Sequence, residues 1–217
     1  MEKLSLAQQI SVTALPMLFA ITLHEVAHGW VARQLGDDTA ARLGRLSLNP
    51  LRHIDPIGTV LVPGIFLLVG FLSGGPGVFF GWAKPVPVDW RRLGNPRRDM
   101  ALVAMAGPLA NFLMAILWAM LAKSGILLHA PFILYAGVIG ITINLLLMVL
   151  NLLPVPPLDG SRIVVALLPG QWASLYMRLE PYGTFILILL LSLGILGPML
   201  QGPVSALQGL VAGIAGL

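Results

Sequence analysis

Apolar and polar residues are arranged in long blocks along this chain. Apolar residues dominate positions 10–31, 100–121, 131–153 and 184–200, and each block has about 17 to 23 residues. A helix of about 20 apolar residues crosses the roughly 30 Å hydrocarbon core of a bilayer. The pattern therefore predicts four transmembrane helices.

A fifth apolar block, residues 57–72, is short and interrupted by helix breakers. The loops on both sides of it are basic, which places both on the cytoplasmic side by the positive-inside rule. One full crossing cannot join two loops on the same side, so we expect a re-entrant or kinked segment. Its helix breakers are Gly58, Pro63, Gly64 and Gly70.

Two smaller features complete the predicted architecture. Residues 203–217 are apolar but only about 15 in number, so we expect them to lie against the bundle without crossing unaided. The alternation at residues 45–48 permits a short strand. The predicted fold is an all-α polytopic membrane protein, a single domain over residues 1–217: a helical bundle with about four to six membrane segments plus short β-hairpin and re-entrant elements.

Composition supports this prediction and limits the chemistry. Hydrophobic residues make up 57% of the 217 positions and charged residues 10%, with a mean hydropathy of +0.89. The net charge is +4, and the Lys and Arg residues lie mostly in two loops, as in cytoplasmic loops of membrane proteins, so nucleic acid is not an expected partner. The chain has no cysteine, so any transition metal must be held by His, Asp or Glu.

Three ionisable residues interrupt the first apolar block. Residues 24–28 match the pattern H-E-x-x-H, in which His24 and His28 lie on one helical face and Glu25 can deprotonate a metal-bound water. A charged residue deep in a membrane helix costs about 2.5 to 3.5 kcal/mol, less near the interface. That cost favours a metal site over an incidental match on a helix.

Catalytic zinc sites usually have three protein ligands, and Asp159 is our candidate for the third. It follows the end of an apolar block, next to Gly160, which permits close approach. Basic cytoplasmic loops would place His28 and Asp159 near the same face of the membrane. The alternative is that Asp159 only caps the helix that follows it.

Other polar residues have less specific interpretations. His53 is either a partner of the site or, more simply, a structural loop residue. Asn111 must hydrogen-bond either across the bundle or near the site, and Asn144 has the same two interpretations, with more weight on packing between helices. His129 is expected at the opposite side of the membrane.

These motifs together resemble the site-2 protease family of intramembrane zinc metalloproteases, in its short form without PDZ or CBS domains. The resemblance rests on residues 24–28, 106–111 and 151–160, and on residues 81–88 with 95–99. It implies that His24, His28 and Asp159 bind Zn²⁺ and that Glu25 is the general base. It also implies that Asn151 lies near the site and assists substrate or oxyanion binding.

The expected function is hydrolysis of peptide bonds within transmembrane segments of membrane-protein substrates, in a lipid bilayer. The resemblance implies a multi-pass protein of a prokaryotic plasma membrane with its active site near the cytoplasmic side. The sequence leaves open a homodimer. The alternative function is a membrane metal transporter or zinc sensor, which would be expected to distribute ionisable groups along a path through several helices.

Overall fold

The computed structural model describes residues 5–61, 65 and 84–217, and within these ranges it is helical without a β-strand. Short 3₁₀ turns cover Pro50–Arg52, Trp90–Arg92 and Glu180–Tyr182, and a π-helical turn covers Pro56–Leu61. The α-helices in the described ranges are α1 (Leu6–Gln34), α2 (Thr39–Arg42), α3 (Pro96–Leu127), α4 (Pro131–Asn151), α5 (Asp159–Leu167), α6 (Gly170–Met177), α7 (Gly183–Ser192) and α8 (Leu196–Ala215).

Four helical stretches are long and apolar enough to cross a membrane: Ile10–Gln34, Pro96–Leu127, Pro131–Asn151 and Gly170–Ser192. The fourth consists of α6, a 3₁₀ turn and α7. The prediction of a helical, multi-pass membrane protein is confirmed.

The two longest helices begin with side-chain caps that the sequence encodes. Ser5 and Gln8 form a reciprocal capping box at the start of α1. Asn95 caps α3, and Pro96 follows at its first helical position, where no amide donor is needed. At 1.5 Å per residue, the 32 residues of α3 extend about 48 Å, longer than the hydrocarbon core.

Helices α3 and α4 form a close antiparallel pair because small residues line their contact. A Cβ on Gly137 would lie 2.6 Å from the backbone nitrogen of Ala122, and one on Gly125 would lie 2.5 Å from that of Leu134. Such small residues let membrane helices approach closely where lipid supplies no hydrophobic driving force. The connecting turn contains His129 at a φ of 51°.

Helix α8 packs against this pair along its length. Lys123, near the end of α3, donates a hydrogen bond of 2.8 Å to the carbonyl oxygen of Ala215 at the end of α8. The prediction that residues 203–217 lie against the bundle is confirmed. The buried core that α8 shares with α3 and α4 consists of Ala115, Ala119, Leu145, Val149, Leu196, Leu200, Val204, Val211 and Ala215.

The fourth predicted span is present, but its predicted bounds, residues 184–200, are wrong, because the apolar stretch covers Gly170–Ser192. Helix α7 ends at Ser192, the chain turns at Gly194 with a φ of 68°, and α8 begins at Leu196. A left-handed backbone at this position suits glycine and ends a helix. Hydrophobicity continues through the turn, so it could not mark the boundary.

The predicted strand at residues 45–48 is also wrong. This segment is irregular, and Arg45 Nη2 instead donates to the carbonyl oxygens of Lys84 and Pro85, at 2.9 and 3.3 Å. Pro85 and Pro87 have no amide hydrogen, which disfavours a continuous strand ladder there. Most of the predicted re-entrant segment, residues 57–72, lies outside the described residues.

The α3–α4 contact predicts that Gly137→Ala lowers stability. The new methyl would meet the Ala122 backbone, and overpacking of this kind costs about 1–3 kcal/mol. The measurement is thermal unfolding of the purified protein in detergent. Gly209→Ala on α8 is the matched control, since no atom lies within 4 Å of its added Cβ, and it should be neutral or slightly stabilising. Equal effects of the two changes would contradict the prediction.

Candidate metal centre

The side chains of His24, His28 and Asp159 meet in the interior of the bundle. The Nε2 atoms of the two histidines are 3.0 Å apart. Asp159 Oδ2 lies 3.1 Å from His24 Nε2 and 3.3 Å from His28 Nε2. The two imidazoles are buried, and the carboxylate is mostly so. The structure therefore brings together the three residues predicted as metal ligands.

The three side chains of the cluster lie between the helices, some distance in from the end of α1. His28 and His24 precede the end of α1 by about 9 and 15 Å, at 1.5 Å per residue. Asp159 reaches them from the start of α5, just beyond the end of α4. The site is therefore near one end of the bundle but within its apolar part.

The local structure around Asp159 distinguishes the two roles predicted for it, metal ligand and helix cap. It is the first helical residue of α5, whereas the capping position belongs to Leu158 and has no side-chain capping bond. The carboxylate instead points at the histidines, and the helix N-terminus stabilises its negative charge. Gly160 allows this approach because a Cβ there would lie 2.3 Å from the carbonyl oxygen of Leu152.

One face of α3 supports both histidines. Val103, Gly107 and Asn111 are spaced four residues apart, so they lie along the same side of the helix. The carbonyl oxygen of Val103 is 2.7 Å from His28 Nδ1, and Asn111 Oδ1 is 2.6 Å from His24 Nδ1. A Cβ on Gly107 would lie 2.4 Å from His28 Nε2 and 2.6 Å from His24 Nε2, so only glycine leaves room for the cluster.

These contacts fix the tautomers of the imidazoles. A carbonyl oxygen only accepts hydrogen bonds, so His28 must donate from Nδ1 to Val103, and His24 likewise donates from Nδ1 to the oxygen of Asn111. Both neutral rings then direct an Nε2 lone pair at the other and at Asp159. Accordingly, Asp159 Oδ2 is buried without a hydrogen bond despite its two close neighbours.

With both rings neutral, the three acceptor atoms in mutual contact form the donor set of a bound metal ion. A shared proton would satisfy one pair of acceptors and leave the third unpaired, whereas one metal ion satisfies all three. Ligand atoms about 2.0–2.2 Å from a tetrahedral zinc ion lie roughly 3.3–3.6 Å apart, a few tenths of an ångström more than the separations observed here. Within the part of the chain that the structure describes, these three residues are the one group of three His, Asp or Glu side chains arranged to hold a metal ion.

Glu25 follows His24 on α1 and is held by a separate segment. Its Oε2 accepts a hydrogen bond of 2.7 Å from the backbone amide of Val86. Val86 lies between Pro85 and Pro87, neither of which has an amide hydrogen to offer. The extended segment of residues 84–89, here named the strap, therefore directs a single amide from this short stretch at the carboxylate.

Both ends of the strap are attached to the rest of the protein. The Lys84 amide donates to the carbonyl oxygen of His53, and the Asp89 amide donates to Asp37 Oδ2 at 2.7 Å. Burial opposes ionisation of Asp37, but hydrogen bonds from Thr39 and Asp89 and the nearby positive charge of Arg92 hold its pKa below the usual range. The strap is thus fixed on both sides of Val86.

Two residues considered from the sequence lie outside the cluster. Asn151 is the last residue of α4, and its Nδ2 donates to the carbonyl oxygen of Leu147 at 3.0 Å. Its role at the site stays a prediction. His53 is buried and its Nε2 bonds the carbonyl oxygen of Ser47, a contact that favours its interpretation as a structural loop residue.

Sequence reasoning missed the backbone groups and one side chain around the site. The Val103 carbonyl and the Val86 amide leave no mark in side-chain chemistry. The role of Gly107 could have been inferred from its spacing to Asn111 on one helical face. For Asn144 the sequence left open a role near the site, with more weight on packing between helices, and it hydrogen-bonds the side chain that holds His24.

The fold and the cluster define the class: a multi-pass helical membrane protein with a candidate metal centre inside its bundle. The chain is 38% identical to the "Putative zinc metalloprotease YwhC" of Bacillus subtilis, over 85% of this chain and 84% of that protein. It is 35% identical to the "Putative zinc metalloprotease Rip2" of Mycobacterium tuberculosis, over 85% of this chain and 66% of that longer protein. No family model and no solved structure matches it.

The chain therefore belongs to the family of zinc metalloproteases that includes YwhC, in agreement with the site-2 protease resemblance of its motifs. A shorter match joins it to the "Putative zinc metalloprotease MJ0611" of Methanocaldococcus jannaschii, with 35% identity over 39% of this chain and 43% of that protein. The metal in these names agrees with the expectation of Zn²⁺ and with the His24, His28 and Asp159 cluster.

The contact at Gly107 predicts that Gly107→Ala abolishes metal binding without unfolding α3. The methyl would occupy the space of the imidazole Nε2 atoms, while alanine favours a helix more than glycine does. The measurement is zinc content per chain after purification, expected to fall at least tenfold. Gly213→Ala on α8, where no atom lies within 4 Å of the added Cβ, should keep its zinc. Retention of full zinc content by Gly107→Ala would contradict the assigned site.

Proposed function

We propose that this protein is an intramembrane zinc endopeptidase that hydrolyses peptide bonds in the transmembrane segments of other membrane proteins. The observation that carries the proposal is the position of three converging acceptor atoms, with Glu25 next to them in sequence, inside an apolar helical bundle. Family membership supplies the metalloprotease class. The depth of the site in the bundle favours substrates that are themselves in the membrane.

His24, His28 and Asp159 would hold the zinc ion. When bound, zinc acts as a Lewis acid that lowers the pKa of water and polarises the scissile carbonyl. Glu25 is the general base: Oε2 is held by the Val86 amide, and we assign proton transfer to the other carboxylate oxygen. The same carboxylate then donates the proton to the leaving amine nitrogen.

The structure limits how a substrate can be cut. The amides of a membrane-spanning helix are satisfied internally, so the substrate must unwind locally before a carbonyl reaches the site. The strap borders Glu25 and is irregular, which makes it the element beside which an unwound chain would lie. For Asn151 we retain the role implied by the family resemblance, substrate or oxyanion binding.

The orientation in the membrane follows from charge. The cluster lies toward the bundle end that includes the C-terminus of α1 and the N-termini of α3 and α5. Basic residues follow α1, precede α3 and occupy the first turn of α3, and the positive-inside rule assigns such segments to the cytoplasmic side. The active site is therefore proposed near the cytoplasmic face of a prokaryotic plasma membrane. These basic residues include Arg42, Arg45, Arg91, Arg92, Arg97 and Arg98.

Metal transport is the alternative function, and it requires a different arrangement of residues from peptide-bond hydrolysis. Transport needs ligands along a path, whereas the described residues collect their metal-binding side chains at one depth. A general base is required only by hydrolysis. Glu25 is therefore the residue that separates the two functions.

We expect Glu25→Gln to retain zinc and lose cleavage. Glutamine keeps the size of the side chain and can accept the Val86 hydrogen bond, but it cannot take up the proton, and general-base catalysis contributes about 10²–10⁴-fold. The measurement is cleavage of a single-span membrane protein in vesicles, with the cut position determined by mass spectrometry, alongside zinc content. The cut should fall within the apolar span.

Glu180→Gln is the matched control, because Glu180 pairs with Arg162 outside the cluster. It should cleave like the unchanged protein. Undiminished cleavage by Glu25→Gln would remove the proposed base. Zinc binding with no cleavage of any membrane substrate by the unchanged protein would favour transport.

Metal removal gives an independent expectation. A strong chelator should abolish cleavage because the proposed mechanism needs the metal. Stoichiometric zinc should restore it, because the helices that position the three ligand side chains stay folded. Activity that persists after zinc has been removed and shown absent by elemental analysis would exclude a zinc-dependent mechanism.

A further inference from the structure

Two asparagines are fully buried on apolar helices beside the metal centre. Asn111 lies on α3 and Asn144 on α4, and each has a relative exposure of 0%. An unsatisfied amide is costly inside a membrane bundle, so the partners of these side chains indicate what they do. Asn144 is not in hydrogen-bond contact with any of the three ligand side chains in the described structure.

The hydrogen bonds of the two asparagines form one continuous chain across three helices. Asn144 Nδ2 donates to the carbonyl oxygen of Gly140 at 2.8 Å, and Asn111 Nδ2 donates to Asn144 Oδ1 at 3.1 Å. Asn111 Nδ2 also donates to the carbonyl oxygen of Ala20 at 3.2 Å. Asn111 Oδ1 meets His24 Nδ1 at 2.6 Å. The chain therefore begins at the backbone of α4 and ends at a metal-ligating ring on α1.

The direction of this chain is determined at its first member. The Gly140 carbonyl can only accept, so the amide nitrogen of Asn144 must face it and the Asn144 oxygen must face Asn111. That oxygen and the Ala20 carbonyl in turn require the nitrogen of Asn111 on their side. The Asn111 oxygen is left for His24, which must donate from Nδ1 and keep its Nε2 lone pair for the cluster.

We propose that Asn144 is a positioning residue for the metal centre, acting through Asn111 to fix the tautomer and ring orientation of His24. This inference rests on the proposed role of His24 as a zinc ligand. Mutation of a residue that orients a ligating histidine typically lowers metal affinity by about 10–100-fold. Asn144 contacts Asn111 and not His24 itself, so we expect its replacement to lower zinc affinity by about tenfold, the lower end of this range.

A role in packing alone gives different results. If Asn144 only joins α3 to α4, its replacement lowers thermal stability but leaves the zinc affinity of the folded protein unchanged. The zinc affinity of the folded Asn144 variants therefore separates positioning from packing. Non-additivity with Asn111 in zinc affinity then shows that the effect of Asn144 passes through Asn111.

The experiment uses the full chain in detergent and a chromophoric chelator that competes for zinc. Asn144→Leu keeps approximate shape without hydrogen bonds, and Asn144→Ser is a second variant, whose short hydroxyl does not reach Asn111, in case the first does not fold. Thr142→Val is the matched control: Thr142 lies on the same helix, and its hydroxyl bonds the carbonyl oxygen of Val138, four residues earlier, as Asn144 bonds Gly140.

We expect zinc affinity to fall about tenfold in Asn144→Leu or Asn144→Ser and to stay unchanged in Thr142→Val. Asn111→Ala should lower it further, and Asn111→Ala combined with Asn144→Leu should match Asn111→Ala alone, because Asn144 acts through Asn111. The visible absorption of the cobalt-substituted protein should change in the Asn144 variants, reporting an altered ligand geometry.

Two failures are distinguishable. If the unchanged protein binds zinc, and loses it in His24→Ala, but the Asn144 variants bind it as tightly with an unchanged cobalt spectrum, Asn144 is a packing residue and the inference is overturned. Additive losses in the double variant overturn it equally. If the unchanged protein binds no zinc that depends on His24, the proposed metal site itself fails.

Discussion

Three lone pairs converge inside an apolar bundle, and the arrangement of the surrounding helices depends on that convergence. The Nε2 atoms of His24 and His28 and Oδ2 of Asp159 lie 3.0 to 3.3 Å from one another. With both rings neutral and no cation bound, this contact is repulsive, because each of the three atoms offers a lone pair and none offers a proton. The residues around the cluster prevent it from relaxing. Val103 and Asn111 hold the rings from behind, and Gly107 brings α3 close enough to do so.

Close approach of helices is therefore a functional requirement as well as a packing one. Gly107 allows α3 to face the imidazoles directly, and Gly160 allows α5 to start against the carbonyl at the end of α4. Gly137 brings α4 onto α3 by the same means, which places Asn144 within reach of Asn111. Lipid supplies no hydrophobic driving force between membrane helices. The glycines let the helices approach closely enough for van der Waals packing and hydrogen bonds to hold them together.

The extent to which the sequence predicted this structure follows from the physics of each feature. The four-residue spacing of His24 and His28 is local, so the sequence alone indicated a shared face. Asp159 could be assigned because topology limits which polar residues reach the same depth. The break at Gly194 was missed because hydropathy does not register a single left-handed residue. The contacts of the strap with Glu25 and Asp37 were not predicted, because they join backbone and side-chain groups far apart in sequence, which no periodic pattern encodes.

The strap also explains why a base on an apolar helix keeps a defined orientation. Glu25 is one residue beyond His24, about 100° further around α1, so it lies on a different side of the helix from the histidines. Its support comes from the Val86 amide, and the prolines on either side of Val86 prevent neighbouring amides from competing for the carboxylate. Asp37, just beyond α1, holds the strap through the Asp89 amide. The metal ligands and the base are thus positioned by different parts of the protein: helices in the membrane orient the ligands, and a loop attached to the end of α1 orients the base. Changes in the loop can therefore alter proton transfer while the ligand cluster stays intact.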